Sequence, residues 1–169
     1  MKITELYLAL IEREGEANRH ALERVPEGKN DWKPHEKSME LGYLAALVAV
    51  MPAWLAMMIE SDSYDLADKD PRFQPEKHAS TQALLATADR SLALAKQALR
   101  NASDESLMKG WELKWSGQKL SEDPRWMAIA NGALTHMAHH RGQLTVYLRL
   151  LGAKVPAIYG PSADERPGA

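Results

Sequence analysis

Between Glu40 and Glu60 run 19 residues without a charge, residues 41–59, interrupted only by Pro52. A stretch of this length either crosses a bilayer or forms the centre of a folded core. This one is rich in alanine, which transfers weakly into lipid, and both its flanks are acidic, so it lacks a positive-inside signal. The expectation is no membrane span, but a helix buried on most sides by its neighbours. Pro52 has no N–H, leaves the Val48 carbonyl without its helical partner, and should kink the helix.

The partners that bury such a helix can be read on either side of it. Residues 4–23 place Leu8, Ile11, Gly15, Asn18, Leu22 and Val25 three or four apart, and Pro26 ends that helix. Ser38 is the expected N-cap of the second helix, which runs to about Glu60. Residues 80–100 form a third helix with Leu84, Leu85, Ala88, Leu92, Leu94 and Leu99 in register. Asp123-Pro124 reads as the start of a fourth helix and Gly152 as its stop. Trp111-Glu-Leu-Lys-Trp115 alternates like a short extended piece. Four long helices in 169 residues predict a single all-α domain, a four-helix bundle over residues 1–169, with Leu44, Leu47, Val48, Met51, Leu144 and Leu148 in its core.

Charge and composition narrow the function. Net charge is −2, with no concentration of Lys and Arg, so nucleic-acid binding is not expected. The chain has no cysteine, which removes disulfides, thiolate zinc sites and cysteine nucleophiles. Met1-Lys-Ile-Thr-Glu lacks the pattern of a secretory signal, and a cytoplasmic location is expected. There is no dinucleotide or P-loop glycine pattern, no G-x-S-x-G elbow, and no E-x-x-H pair of the di-iron kind.

What remains is Thr135-His136-Met-Ala-His139-His140-Arg141-Gly-Gln143. His136 and His140 lie one helical turn apart on one face, where two imidazoles can share a divalent ion. The same spacing also suits two hydrogen-bonded histidines in a polar layer of the core. His139 points about 100° away from His140 and either orients a neighbour or sits at the surface. His20, His35 and His78 read as surface residues. Met51, Met57 and Met58 read as core fillers. Arg141 and Arg149 read as partners for nearby carboxylates rather than as anchors for an anionic substrate. The five tryptophans close the core or line a pocket.

The stretch from His136 through Gln143, Tyr147 and Arg149 to Gly152, followed by Val155-Pro-Ala-Ile-Tyr159, resembles the C-terminal signature of the DinB family. Leu22-Glu-Arg-Val-Pro-Glu-Gly-Lys, Trp32-Lys-Pro-His35 and Lys37-Ser-Met-Glu-Leu-Gly resemble that family's first loop and second-helix entry. The resemblance implies a bundle of the DinB/YfiT-like type, often a homodimer, acting on a small molecule. It also implies a divalent ion, usually nickel or zinc, held by three histidines, in a superfamily of metal-dependent thiol transferases, a maleylpyruvate isomerase type and many members of unknown activity. Two of those positions match His136 and His140. The third lies in a pattern like L-G-x-L-A-x-H-x-A-x-x-P-x-W, and this chain reads Leu41-Gly-Tyr-Leu-Ala-Ala-Leu47-Val-Ala-Val-Met-Pro52-Ala-Trp54.

Leu47 has no lone pair, so the metal is expected to be weak or absent and the site degenerate. Neither Tyr43 nor Glu40, both nearer the helix entrance, replaces it convincingly; a carboxylate from residues 61–77 stays open. Two functions follow: a metal-dependent hydrolase or thiol transferase acting on a small molecule, or a non-catalytic dimeric bundle that binds a small ligand or serves as an interaction module.

Overall fold

In the computed structural model, which describes residues 2–166, the uncharged stretch is helix α2 (Leu41–Glu60). Sixteen of its residues are buried, so it is the core of the protein and presents no apolar cylinder to lipid. Helix α1 (Ile3–Leu22) and helix α3 (Thr81–Asn101) pack on it and on each other. The fourth long segment runs unbroken from Arg125 to Leu150, as α5 (Arg125–Ala128), a π-helical stretch (Ile129–Thr135) and α6 (His136–Leu150), and packs on α1 and α2. A single turn, α4 (Asp104–Leu107), follows α3. All six residues expected in the core are buried, whereas Leu94, read in register on α3, is exposed.

Pro52 lies inside α2, and the carbonyl it leaves free, that of Val48, accepts from Asn18 Nδ2 at 3.2 Å. The Oδ1 of Asn18 accepts in turn from Arg141 Nη1 at 2.9 Å. Arg141 is 1% exposed; it also pairs with Glu14 at 2.6 Å and donates to the Tyr159 hydroxyl, which donates to the same Glu14 carboxylate. One chain of bonds thus ties α1, α2, α6 and the C-terminal tail together, and every buried polar group in it has a partner.

Helix ends follow local chemistry, with two corrections. Ser80 caps α3, accepting from Ala83 N, and Gly152 adopts φ 74° to stop α6. Ser38, however, does not cap α2. That helix begins three residues later, where the loop carbonyls of Trp32 and Asn30 accept from Leu41 N and Gly42 N. Backbone groups have replaced the side-chain cap. Nor does Asp123 cap the fourth helix, because it belongs to a strand.

The all-α expectation is corrected by a three-stranded sheet. Strand β1 (Ser63–Asp65) runs parallel to β2 (Gly110–Trp115), and β2 is antiparallel to β3 (Gln118–Pro124), in the order β1-β2-β3. The extended piece at Trp111–Trp115 is β2. Its hairpin to β3 turns through Ser116 (φ 48°) and Gly117 (φ 80°), and the Asp65 carboxylate accepts from both of their N–H groups. Two successive positive φ values define the turn geometry that suits the twist of a tight hairpin.

If the proline is the reason for Asn18, the two are coupled. Asn18→Leu should cost about 2–4 kcal/mol by orphaning the Val48 carbonyl and removing one Arg141 acceptor. In a Pro52→Ala background, where an N–H again reaches Val48, that cost should shrink by about 1 kcal/mol or more. Denaturant unfolding of the four proteins measures the coupling; equal costs in both backgrounds would contradict it.

Candidate functional site

The sheet lays one face over the end of the helical core. Across the strands, Tyr64, Leu113 and Ser121 stand in one row and Trp111 and Asp123 in the next, and all five line one cavity. The helices supply the opposite wall, with Leu47, Trp54, Met57 and Met58 from α2 and His136 and His140 from α6. The cavity holds about 580 Å³, within the range of small-molecule sites.

The π-helical stretch sets up the histidines. Its wider turn is marked by Thr135 Oγ1, which donates to the Ala130 carbonyl five residues back at 2.5 Å. Gly132 lies close against α2: a Cβ there would stand 2.6 Å from Met58 Cε, so a side chain would require the end of Met58 to move aside. His136 begins α6 directly after this stretch, with its ring 5.8 Å from that of Trp54.

His136 and His140 meet through their Nε2 atoms at 2.9 Å. His140 Nδ1 donates to Gln143 Oε1 at 2.8 Å, since an amide oxygen only accepts, and so His140 presents an Nε2 lone pair toward His136. Burial pushes both pKa values below the ordinary 6.5. For His136 the neighbouring His140 adds to the effect and a hydrogen bond to the Gly132 backbone opposes it; for His140 the Gln143 bond opposes it. The pair is therefore held neutral.

Two ring nitrogens about 2.05 Å from one ion stand about 2.9 Å apart at a right angle and about 3.3 Å apart at a tetrahedral angle. The pair alone thus has the bite of two adjacent ligands on an octahedral ion. The third donor is missing. Leu47 lines the same cavity, 6% exposed, and closes it with methyl groups. Residues 61–77 contribute Tyr64, Leu66, Phe73, Gln74 and Pro75 to the wall but no carboxylate. Glu40 pairs with Lys77 at 2.5 Å, and Tyr43 lines the wall as a half-exposed phenol. Among the described residues no three His, Cys, Asp or Glu side chains come together in a way that could hold an ion. The residues present do not fit a three-histidine metal centre.

The other conspicuous residues fall outside the cavity. His139 is exposed, edge-on to His140 at 5.1 Å. His35 is exposed, while His20 and His78 are half-buried rather than surface residues, the pKa of His78 lowered by burial. Arg141 and Arg149 pair with Glu14 and Asp164. Sequence reasoning missed the sheet face. β3 is exposed at every position and so carries no alternation, while Trp111 and Leu113 gave a signal through the period of their strand.

The family model described as the DinB family matches residues 1–167. The uncharacterized protein YrdA of Bacillus subtilis is 33% identical over 70 residues, covering 37% of this chain and 42% of that protein, so the match spans less than half of the relative. A DinB-like protein from Bacillus subtilis, YjoA, has the same fold, with a TM-score of 0.64 at 20% identity over 88% of this chain and 94% of its own. A DinB-like protein from Bacillus cereus gives 0.62 at 19% identity, over 88% and 92%.

The neutral histidine pair predicts acid sensitivity. Both folded-state pKa values lie below the unfolded value near 6.5, so the unfolded chain takes up protons first as pH falls. The stability this pair contributes is complete above pH 6.5 and declines below it, until the folded pair itself protonates. Replacing the inner ring, His140→Gln, should shrink the fall in melting temperature between about pH 7.5 and pH 5.5. Thermal melts at the two pH values test this, and an unchanged fall would contradict it.

Proposed function

This chain belongs to the DinB family, and from that premise we propose that it binds a small, largely apolar molecule in the cavity between its sheet and its helices, with its metal site degenerate. The observation that carries the proposal is the wall itself. About 580 Å³ is enclosed mainly by Trp, Met, Leu and Phe side chains, with a neutral His136/His140 pair as the main polar feature on the helical side. That composition, apolar with a few placed polar groups, is what a pre-formed small-molecule site requires. Nickel or zinc is held weakly or not at all, because Leu47 stands where the family pattern has its third histidine. The four long helical segments are read as the bundle that carries this site, in a cytoplasmic homodimer.

A second reading, a divalent-metal-dependent hydrolase or thiol transferase, is favoured by one distance, the 2.9 Å separation of the two Nε2 atoms. It needs a third donor that the wall does not supply.

One substitution separates the two. Leu47→His should raise nickel or zinc affinity at least about tenfold, because the other two imidazoles are already in place. Without metal the variant should melt below the wild type, having placed a polar ring in an apolar wall, and should recover when metal is added. Titration calorimetry on both proteins reads the difference. Tight binding by the wild type would overturn the first reading in favour of the second, while equally weak binding by both would mean that residue 47 does not face the histidine pair.

A further inference from the structure

The carboxylates around the sheet are almost all in use. Asp62 pairs with Arg125, Glu112 with Lys114 and Lys119, and Glu122 with Lys119, while Asp65 accepts from the turn of the hairpin. Asp123 is the exception. Among the described residues it is in no ion pair, and it is the one of these carboxylates that lines the large cavity. Strand pairing places it opposite Trp111 on the inner face of the sheet, and β3 is exposed along its whole length, so Asp123 stands at the rim.

The rest of the wall carries no formal charge. Of the twenty lining residues none is lysine or arginine, and the His136/His140 pair is neutral. Five aromatic side chains, those of Tyr43, Trp54, Tyr64, Phe73 and Trp111, line the same space. Ring faces attract a cation and repel an anion. A carboxylate or phosphate ligand would face Asp123 with nothing to neutralise either charge. An ammonium would meet an opposite charge. At an exposed rim it keeps part of its water while an apolar body enters the cavity, so the cost of burying its charge stays small.

We infer that this cavity takes a lipophilic amine, an apolar body of small-molecule size carrying one protonated amine that pairs with Asp123 at the rim. The inference rests on the small-molecule reading above and adds the charge of the ligand and the residue that anchors it. The apolar body lies against Trp54, Met57, Met58 and Phe73, and the ammonium lies toward the sheet. Asp123 is thereby a specificity-determining residue: it selects an amine over an alcohol or an acid of the same skeleton.

Three probes with one phenylpropyl skeleton test this: phenylpropylammonium, phenylpropanol and hydrocinnamate, titrated into the full chain at neutral pH. Binding is followed on the indole cross-peaks of Trp54 and Trp111 in a proton–nitrogen correlation spectrum, assigned by triple-resonance experiments. The amine should bind at least about threefold more tightly than the alcohol and at least about tenfold more tightly than the acid. Added salt should weaken the amine relative to the alcohol, because an exposed pair is screened. Asp123→Asn should weaken the amine about three- to tenfold and leave the alcohol unchanged, the retained alcohol binding showing that the variant is folded. Glu122→Gln removes the same charge from the outer face of the sheet and should leave the order and size of the three affinities unchanged. If Asp123→Asn does not fold, the three wild-type affinities and their salt dependence carry the test. An alcohol or acid that binds as tightly as the amine, or an amine preference that survives Asp123→Asn, overturns the inference while leaving the cavity a ligand site. If no probe moves the Trp54 or Trp111 peak, the small-molecule reading itself is overturned.

Discussion

The Val48 carbonyl has no helical donor because Pro52 stands four residues on, and the structure is organised around supplying one. Asn18 provides it from α1, and Arg141, itself paired with Glu14, holds Asn18 in place from α6. A proline in the middle of the most buried helix would otherwise leave a polar group in an apolar interior. The remedy crosslinks three helices at one level, and Tyr159 brings the tail to the same point. Arg141 is the residue after His140. The bonds that fix α6 on one side therefore also fix the register at which its histidines face the cavity on the other.

From that anchor the site extends outward by packing rather than by charge. Leu47 and Trp54 lie on either side of Pro52 along α2, and both reach the cavity. The close approach at Gly132 brings the π-helical turn against Met58 and so brings His136 beside Trp54. The sheet then closes the open end, its inner face made of Tyr64, Leu113, Trp111, Ser121 and Asp123. Its outer face carries Glu112, Lys119 and Glu122, paired in solvent. Such surface pairs contribute little to stability. The hairpin is held chiefly by its ladder and by Asp65, which grips the turn.

The long helices, the core positions on α2 and α6, and the histidine pair were legible because each is encoded by local period or spacing. Trp111–Trp115 was legible as a strand for the same reason. β3 was not, since an edge strand exposed along its whole length has no apolar face to alternate. The cap of α2 was misread at Ser38 because the capping groups are carbonyls of the preceding loop, which any residue carries. Asp123 looked like a helix cap because an Asp-Pro pair satisfies both helix entry and strand exit; pairing of Trp111 with Asp123 decided for the strand. In the π turn before His136, Gly132 sits against Met58, a contact between residues 74 positions apart that no local pattern announces.

Residue 47 is decisive for the site: a leucine shares the cavity wall with two imidazoles spaced like two adjacent ligands of an ion. Methyl groups at that position keep that part of the cavity wall apolar and leave the two facing imidazole nitrogens without a third donor. The most direct measurement is the metal content of the wild-type protein, by inductively coupled plasma mass spectrometry after dialysis against buffer free of added metal. The account predicts nickel and zinc far below one ion per chain, because two neutral imidazoles do not hold an ion against dilution. One tightly retained ion per chain would contradict it.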